Sequence, residues 1–118
     1  MVEFVSAKLI SYIKIDFSTE AEMDSFIDMI EKNGENFYKQ LKQVGLIRWR
    51  FNRVWNKKGV FEISIIFEYK DETAYTKGQK LLNKIMSDNK SLFEKINLNR
   101  TPSRTINIFD FYDQRKVT

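Results

Sequence analysis

The chain has 118 residues, the scale of one domain around one hydrophobic core. A hydrophobic share of 42% and a charged share of 31% belong to an ordinary globular chain, and a net charge of +4 is too weak to imply nucleic acid. The chain contains no Cys and no His, which excludes disulfides, thiolate chemistry, His-ligated haem or zinc, and a Ser-His-Asp triad.

Nothing between Met1 and Phe17 reads as a targeting segment, and no window approaches the roughly 18 apolar residues of a membrane span. The expected location is therefore cytoplasmic, with no membrane partner. From Phe4 to Phe17 the pattern alternates. Leu9, Ser11, Ile13, Ile15 and Phe17 fall on one face and Ile10, Tyr12, Lys14 and Asp16 on the other, which predicts a strand. Thr19-Glu20-Ala21-Glu22 matches a capping box. The helical spacing of Met23, Phe26, Ile27 and Ile30 continues through Phe37, Leu41 and Val44. That predicts one long helix, or two in line with a break near Asn33-Gly34, stopped at Gly45.

A hairpin follows. Its first strand sets Ile47, Trp49, Phe51, Arg53 and Trp55 against Leu46, Arg48, Arg50, Asn52 and Val54, and its second carries Phe61, Ile63, Ile65, Phe67 and Tyr69 on one face. Asn56-Lys57-Lys58-Gly59 turns between them. The predicted register sets Trp49 opposite Phe67, Phe51 opposite Ile65, Trp55 opposite Phe61 and Arg48 beside Glu68. Asp71 caps a second helix carrying Ala74, Leu81, Leu82, Ile85 and Met86, with a short helical turn through Leu92, Phe93 and Ile96 after it. Asn97 to Ser103, with the only proline at Pro102, reads as a loop. Arg104 to Tyr112 reads as the last strand, with Ile106 and Ile108 on one face and Thr105, Asn107, Phe109 and Phe111 on the helix-covered one.

The order β-α-β-β-α-β predicts an α+β, ferredoxin-like fold over residues 1–112: a four-stranded antiparallel sheet with two helices on one face, and a polar tail over 113–118. The helix-free face carries Ile10, Tyr12, Val60, Ile66, Ile106 and Ile108 among charges, so it should meet a second copy.

Phe67-Glu68-Tyr69-Lys70-Asp71-Glu72-Thr73-Ala74-Tyr75 resembles the dimeric α/β-barrel superfamily, in which an aromatic ends the third strand and an alanine-aromatic pair opens the second helix. Val44-Gly45-Leu46-Ile47-Arg48-Trp49-Arg50 is similar to the glycine-led second strand of that group, which includes antibiotic-biosynthesis monooxygenases and stress-responsive barrels. The resemblance implies a dimeric α/β barrel: a homodimer packed through the helix-free sheet face, with a ligand pocket between sheet and helices. The haem-degrading branch uses a helix histidine that this chain lacks, and no cofactor or metal is expected.

Trp49, Phe51, Trp55, Tyr69 and Tyr75 are the candidate walls of such a pocket, with Arg53 and Asn107 as polar groups that orient a carbonyl or an anion. Rings that simply fill the core, and an Arg53 that reaches out to water, are the alternatives. Five basic residues from Arg48 to Lys58, interleaved with aromatics, raise single-stranded RNA as a partner, but Val60 and Glu62 stand where stacking rings would be needed. Nucleic acid is therefore disfavoured. Two main readings remain. One is a barrel that binds a hydrophobic or aromatic small molecule, with cofactor-independent monooxygenation as the activity the resemblance implies. The other is a non-catalytic dimeric binding, regulatory or stress-linked module. A core without a cavity above roughly 300 Å³ favours the second.

Overall fold

The alternation in the first strand decides how the whole sheet is seated. The computed structural model describes residues 7–94 and 99–111. β1 (Leu9–Phe17) buries Leu9, Ser11, Ile15 and Phe17 and leaves Ile10, Tyr12 and Asp16 half-exposed. Around it run α1 (Glu20–Lys42), β2 (Leu46–Arg53), β3 (Phe61–Tyr69), α2 (Glu72–Asp88), the short α3 (Lys90–Glu94) and β4 (Asn99–Ile106). The four strands form one antiparallel sheet in the order β2-β3-β1-β4, which is the ferredoxin-like β-α-β-β-α-β arrangement.

Local chemistry starts each helix where the sequence indicates. Thr19 Oγ1 accepts from the Glu22 backbone N–H at 3.1 Å, while the Ser18 N–H donates to Glu22 Oε2 at 3.2 Å. The reciprocal bond of the capping box thus comes from the residue before the cap. Asp71 Oδ1 accepts from the Ala74 N–H at 2.8 Å and starts α2. α1 runs unbroken through Gly34 for 23 residues. It buries Met23, Phe26, Met29, Phe37 and Leu41 against the sheet, where Ile15, Ile63, Ile65 and Phe67 meet them. Gly45, with φ of 109°, turns the chain from α1 into β2.

The hairpin register is the predicted one from Arg48↔Glu68 through Trp49↔Phe67 and Phe51↔Ile65 to Arg53↔Ile63. Two details differ. A bulge between Leu46 and Arg48 absorbs one residue, so Leu46 pairs with Tyr69 and is buried while Ile47 leaves the core row. β2 also stops at Arg53, so Trp55 never reaches Phe61 and its side chain is 90% exposed.

The last strand lies upstream of its predicted place. β4 covers Asn99–Ile106 and includes Pro102. A proline fits there because β4 is an edge strand and its outer side needs no donor. The faces change with the shift. Ile106 pairs with Leu9, on the helix side, although it is 62% exposed. Ile108, Phe109 and Phe111 lie beyond the strand and are exposed, so the two rings do not join the helix-covered face; they stack on each other at 6.2 Å. Val60 lies in the turn rather than on the sheet, and Ile10, Tyr12 and Ile66 remain as the apolar groups on the helix-free face. Ile96 and the residues 112–118 lie outside the described residues.

Candidate functional site

Between the sheet and the helices lies a small apolar cavity of about 60 Å³. Phe26 and Ile30 of α1, Trp49 and Phe51 of β2, and Leu82 and Met86 of α2 wall it. The rings meet at angles rather than in parallel: Trp49 and Phe51 have centroids 4.6 Å apart, Trp49 and Phe67 5.5 Å, and Phe26 and Phe51 6.2 Å. Arg100 is the only charged residue in the lining among the described residues. The Trp49 indole Nε1 is buried and has no hydrogen-bond partner among the described residues, which is costly for a donor in an apolar setting.

Open clefts flank this cavity on both sides. On the α1–β2 side, clefts of about 230 and 280 Å³ share Phe51 and Ile30 with it. Arg53 lines the first of these and reaches Glu20 of α1 at 3.7 Å. Tyr38, on the second, donates its hydroxyl to the Ile47 carbonyl at 3.0 Å. On the α2–β4 side, a third cleft of about 230 Å³ is lined by Gln79, Asn83, Arg100 and Arg104, and it shares Ile13, Leu82 and Met86 with the cavity. Neither Arg100 nor Arg104 has a carboxylate partner among the described residues. The Arg104 guanidinium lies over the Tyr75 ring, 5.4 Å from its centroid.

Tyr69 sits behind Tyr75, whose ring meets it edge-on at 5.5 Å. It is fully buried, and burial pushes its hydroxyl up to about 12. Gln79 lies near enough to hold that value down somewhat, yet the hydroxyl has no hydrogen-bond partner among the described residues.

The structure therefore brings together some of the residues singled out in the sequence. Trp49 and Phe51 wall the cavity and Arg53 lines a flanking cleft. Tyr69 and Tyr75 form a layer beside the α2–β4 cleft, joined to it through Arg104. Trp55 stands in solvent. Asn107 lies just past β4, where its backbone N–H donates to the Lys8 carbonyl at 2.9 Å. Because β2 and β4 are opposite edges of the sheet, Arg53 and Asn107 are not brought to one ligand. Arg100 went unrecognised because its segment reads as a loop around Pro102, and Arg104 because it reads as the first residue of the last strand, in step with Ile106 and Ile108 on the helix-free face. The signal that finds them is the alternation of Thr101, Ser103 and Thr105 with Arg100, Pro102 and Arg104, a polar edge strand in period two.

Among the described residues, no group of three or more His, Cys, Asp or Glu could hold a metal ion, and no helix is long and apolar enough to cross a membrane. A family model described as a domain of unknown function, DUF6974, matches residues 6–102. No curated protein matches the chain. Among solved structures, a dimeric ferredoxin-like protein from an uncultured marine organism is similar over 90% of this chain and 100% of its own, with a TM-score of 0.83 and 29% identity. A monooxygenase of Streptomyces coelicolor, in complex with nanaomycin D, covers 91% of this chain and 93% of its own at a TM-score of 0.65 and 8% identity. SnoaB, a cofactor-independent oxygenase of Streptomyces nogalater, covers 91% of this chain and 100% of its own at 0.63 and 12% identity. The resemblance to the dimeric α/β-barrel superfamily thus holds in fold; the two oxygenases carry shape to this chain and no chemistry.

Proposed function

We propose that this chain, which belongs to the DUF6974 family, is a homodimeric binding module that takes a flat, apolar or aromatic small molecule between its sheet and its helices. The observation that carries this reading is the Trp49 indole N–H, buried without a partner in the ring that walls the aromatic cavity. A ligand with a carbonyl or similar acceptor relieves that cost while its apolar body meets Phe51 and Phe67.

Size and chemistry favour binding over turnover. At about 60 Å³ the cavity is well short of the roughly 300 Å³ at which small-molecule sites begin, so a ligand enters by one edge and lies partly in a flanking cleft. Among the described residues the cavity's own lining contains no carboxylate, Lys or Tyr, so the enclosed part of a ligand meets no ordinary proton acceptor there.

The dimer is expected through the helix-free face, in keeping with the dimeric ferredoxin-like structures this chain is similar to. There Glu68 is held by Arg50 at 3.1 Å and Arg48 at 3.9 Å, and Glu62 by Lys14 at 3.5 Å. Charges neutralised within one chain leave Ile10, Tyr12 and Ile66 able to pack against a twin.

Calorimetric titration with naphthamide, a flat ring system bearing a carbonyl, tests the ligand half of this reading. One saturable site per chain is expected, absent in Trp49→Ala, with sedimentation showing the same dimer for both proteins. No saturable binding to the wild-type chain, or unchanged binding to Trp49→Ala, overturns it.

A further inference from the structure

Arg100 contributes to two spaces at once. Among the described residues it is the one charged residue lining the aromatic cavity, and it also lines the α2–β4 cleft together with Arg104. The two arginines share a face of β4 because they stand four residues apart on one strand, opposite Ile15 and Ser11 of β1. Both are exposed, and no described carboxylate pairs with either of them. Other arginines on the sheet are engaged: Arg48 and Arg50 with Glu68, and Arg53 with Glu20. The remaining polar groups of the cleft, the Gln79 and Asn83 amides, are neutral. A greasy inner wall thus continues, through Ile13, Leu82 and Met86, into a cationic outer one.

Tyr75 gives Arg104 a fixed seat. The guanidinium rests over its ring, and that ring is held edge-on against the buried Tyr69. Stacking on a ring occupies a guanidinium face and leaves its edge donors free to take two oxygens of a planar anion.

We infer that the ligand is an amphipathic anion, an aromatic or aliphatic carboxylate whose largely apolar body enters the cavity and carries the acceptor for the Trp49 N–H, while its carboxylate, at the other end, is held by Arg100 and Arg104 in the α2–β4 cleft. The inference rests on the proposed binding function and adds to it the charge of the ligand and the side from which it enters. It also accounts for the small inner volume, since only part of the ligand needs to be enclosed and the polar end lies in a cleft of about 230 Å³.

Naphthoate and naphthamide share a ring system and differ in charge, so the pair separates this inference from the reading beneath it. In calorimetry at low salt, naphthoate should bind about tenfold more tightly than naphthamide, the scale of one or two charge-assisted hydrogen bonds. The preference, read as the ratio of the two affinities in the same protein, should vanish in Arg100→Gln/Arg104→Gln. It should persist in Lys57→Gln/Lys58→Gln, which removes the same charge from the hairpin turn and controls for the general field of a basic protein. Circular dichroism and a thermal melt check that each variant is folded; if the double arginine variant is not, Arg104→Gln alone should reduce the ratio of naphthoate to naphthamide affinity. Naphthamide binding without a preference for naphthoate, or a preference that survives loss of the arginines or disappears with the lysines, overturns the anion inference and leaves the cavity reading intact. Binding of neither compound overturns both.

Discussion

Gly78 of α2 lies against the ring of Tyr69: a Cβ at that position would stand 2.6 Å from Cε1 and 3.2 Å from the hydroxyl. The helix can approach the end of β3 this closely only because residue 78 has no side chain. Gly78→Ala gains up to about 1 kcal/mol of helix propensity, but it must displace a fully buried ring held by Phe67 and Tyr75. Overpacking of this kind costs about 1–3 kcal/mol. We expect a net loss near 1–2 kcal/mol in denaturant titration. Gly34→Ala should go the other way by about 0.5 kcal/mol, because its nearest neighbour is the Ile30 Cγ2 tip at 3.2 Å, on a half-exposed side chain beside an open cleft. Equal effects at the two glycines would contradict this account.

Tyr69 sets a limit at high pH. Its hydroxyl is pushed up to about 12 by burial, whereas the unfolded chain releases the proton near 10. Below pH 10 both states hold the proton and the group contributes no pH dependence. Between about 10 and 12 the unfolded state holds fewer protons than the native one, so stability falls as pH rises, by about 2–3 kcal/mol at most. Tyr69→Phe removes a buried hydroxyl that has no hydrogen-bond partner among the described residues. The variant should therefore be at least as stable as the parent at pH 7 and should lose less stability between pH 10 and 12. Parallel stability curves for the two proteins across that window would rule out Tyr69 as the cause.

The reach of the sequence was decided by where local pattern and tertiary need agree. The hairpin is legible because Trp49, Phe51, Ile65 and Phe67 are apolar on one face while Arg48 and Glu68 match on the other, so only one register satisfies both. The bulge at Ile47 is invisible to alternation, since Leu46 and Ile47 are equally apolar and only the packing of Leu46 against Tyr69 selects between them. β4 was hidden by Pro102, which is acceptable at an edge but looks like a break when the sheet order is unknown. That shift concealed the two arginines and put Phe109 and Phe111 on a face they do not share. Of the candidate site, Trp49 and Phe51 were readable because the hairpin was, and on the α2–β4 side only Tyr69 and Tyr75 were singled out, without the arginines.

Asp71 ties the hairpin to the second helix. Its Oδ1 takes the Ala74 N–H at 2.8 Å from a half-buried position, whereas the equivalent bond at Thr19 is 3.1 Å and exposed. Replacing a capping residue with Ala costs about 1 kcal/mol, and partial burial places Asp71→Ala at the upper part of the usual 0.5–2 kcal/mol range, above Thr19→Ala. For a chain of this length each kcal/mol lost is a fall in melting temperature of about 4 °C. Asp71→Asn keeps the acceptor oxygen and should recover most of the loss. A larger fall for Thr19→Ala than for Asp71→Ala would show that the α2 cap is the less important of the two.

Ile66 lies at the centre of the helix-free face, opposite Arg50 on β2 and Tyr12 on β1. In a separate chain a carboxylate at this position meets water and costs the fold little. Across a two-fold interface the same substitution buries two like charges, one from each copy, at several kcal/mol apiece unless each finds a cation. Arg50, the nearest candidate, is already held by Glu68 at 3.1 Å. Ile66→Glu should therefore sediment as a single folded chain at concentrations where the parent is a dimer, and Ile66→Leu should remain dimeric. Naphthamide should still bind the dissociated Ile66→Glu chain, because the cavity is walled by α1, α2 and the opposite side of the sheet within one protomer. A dimer that survives Ile66→Glu unchanged would move the interface off this face, and loss of naphthamide binding on dissociation would show that the partner helps to shape the site.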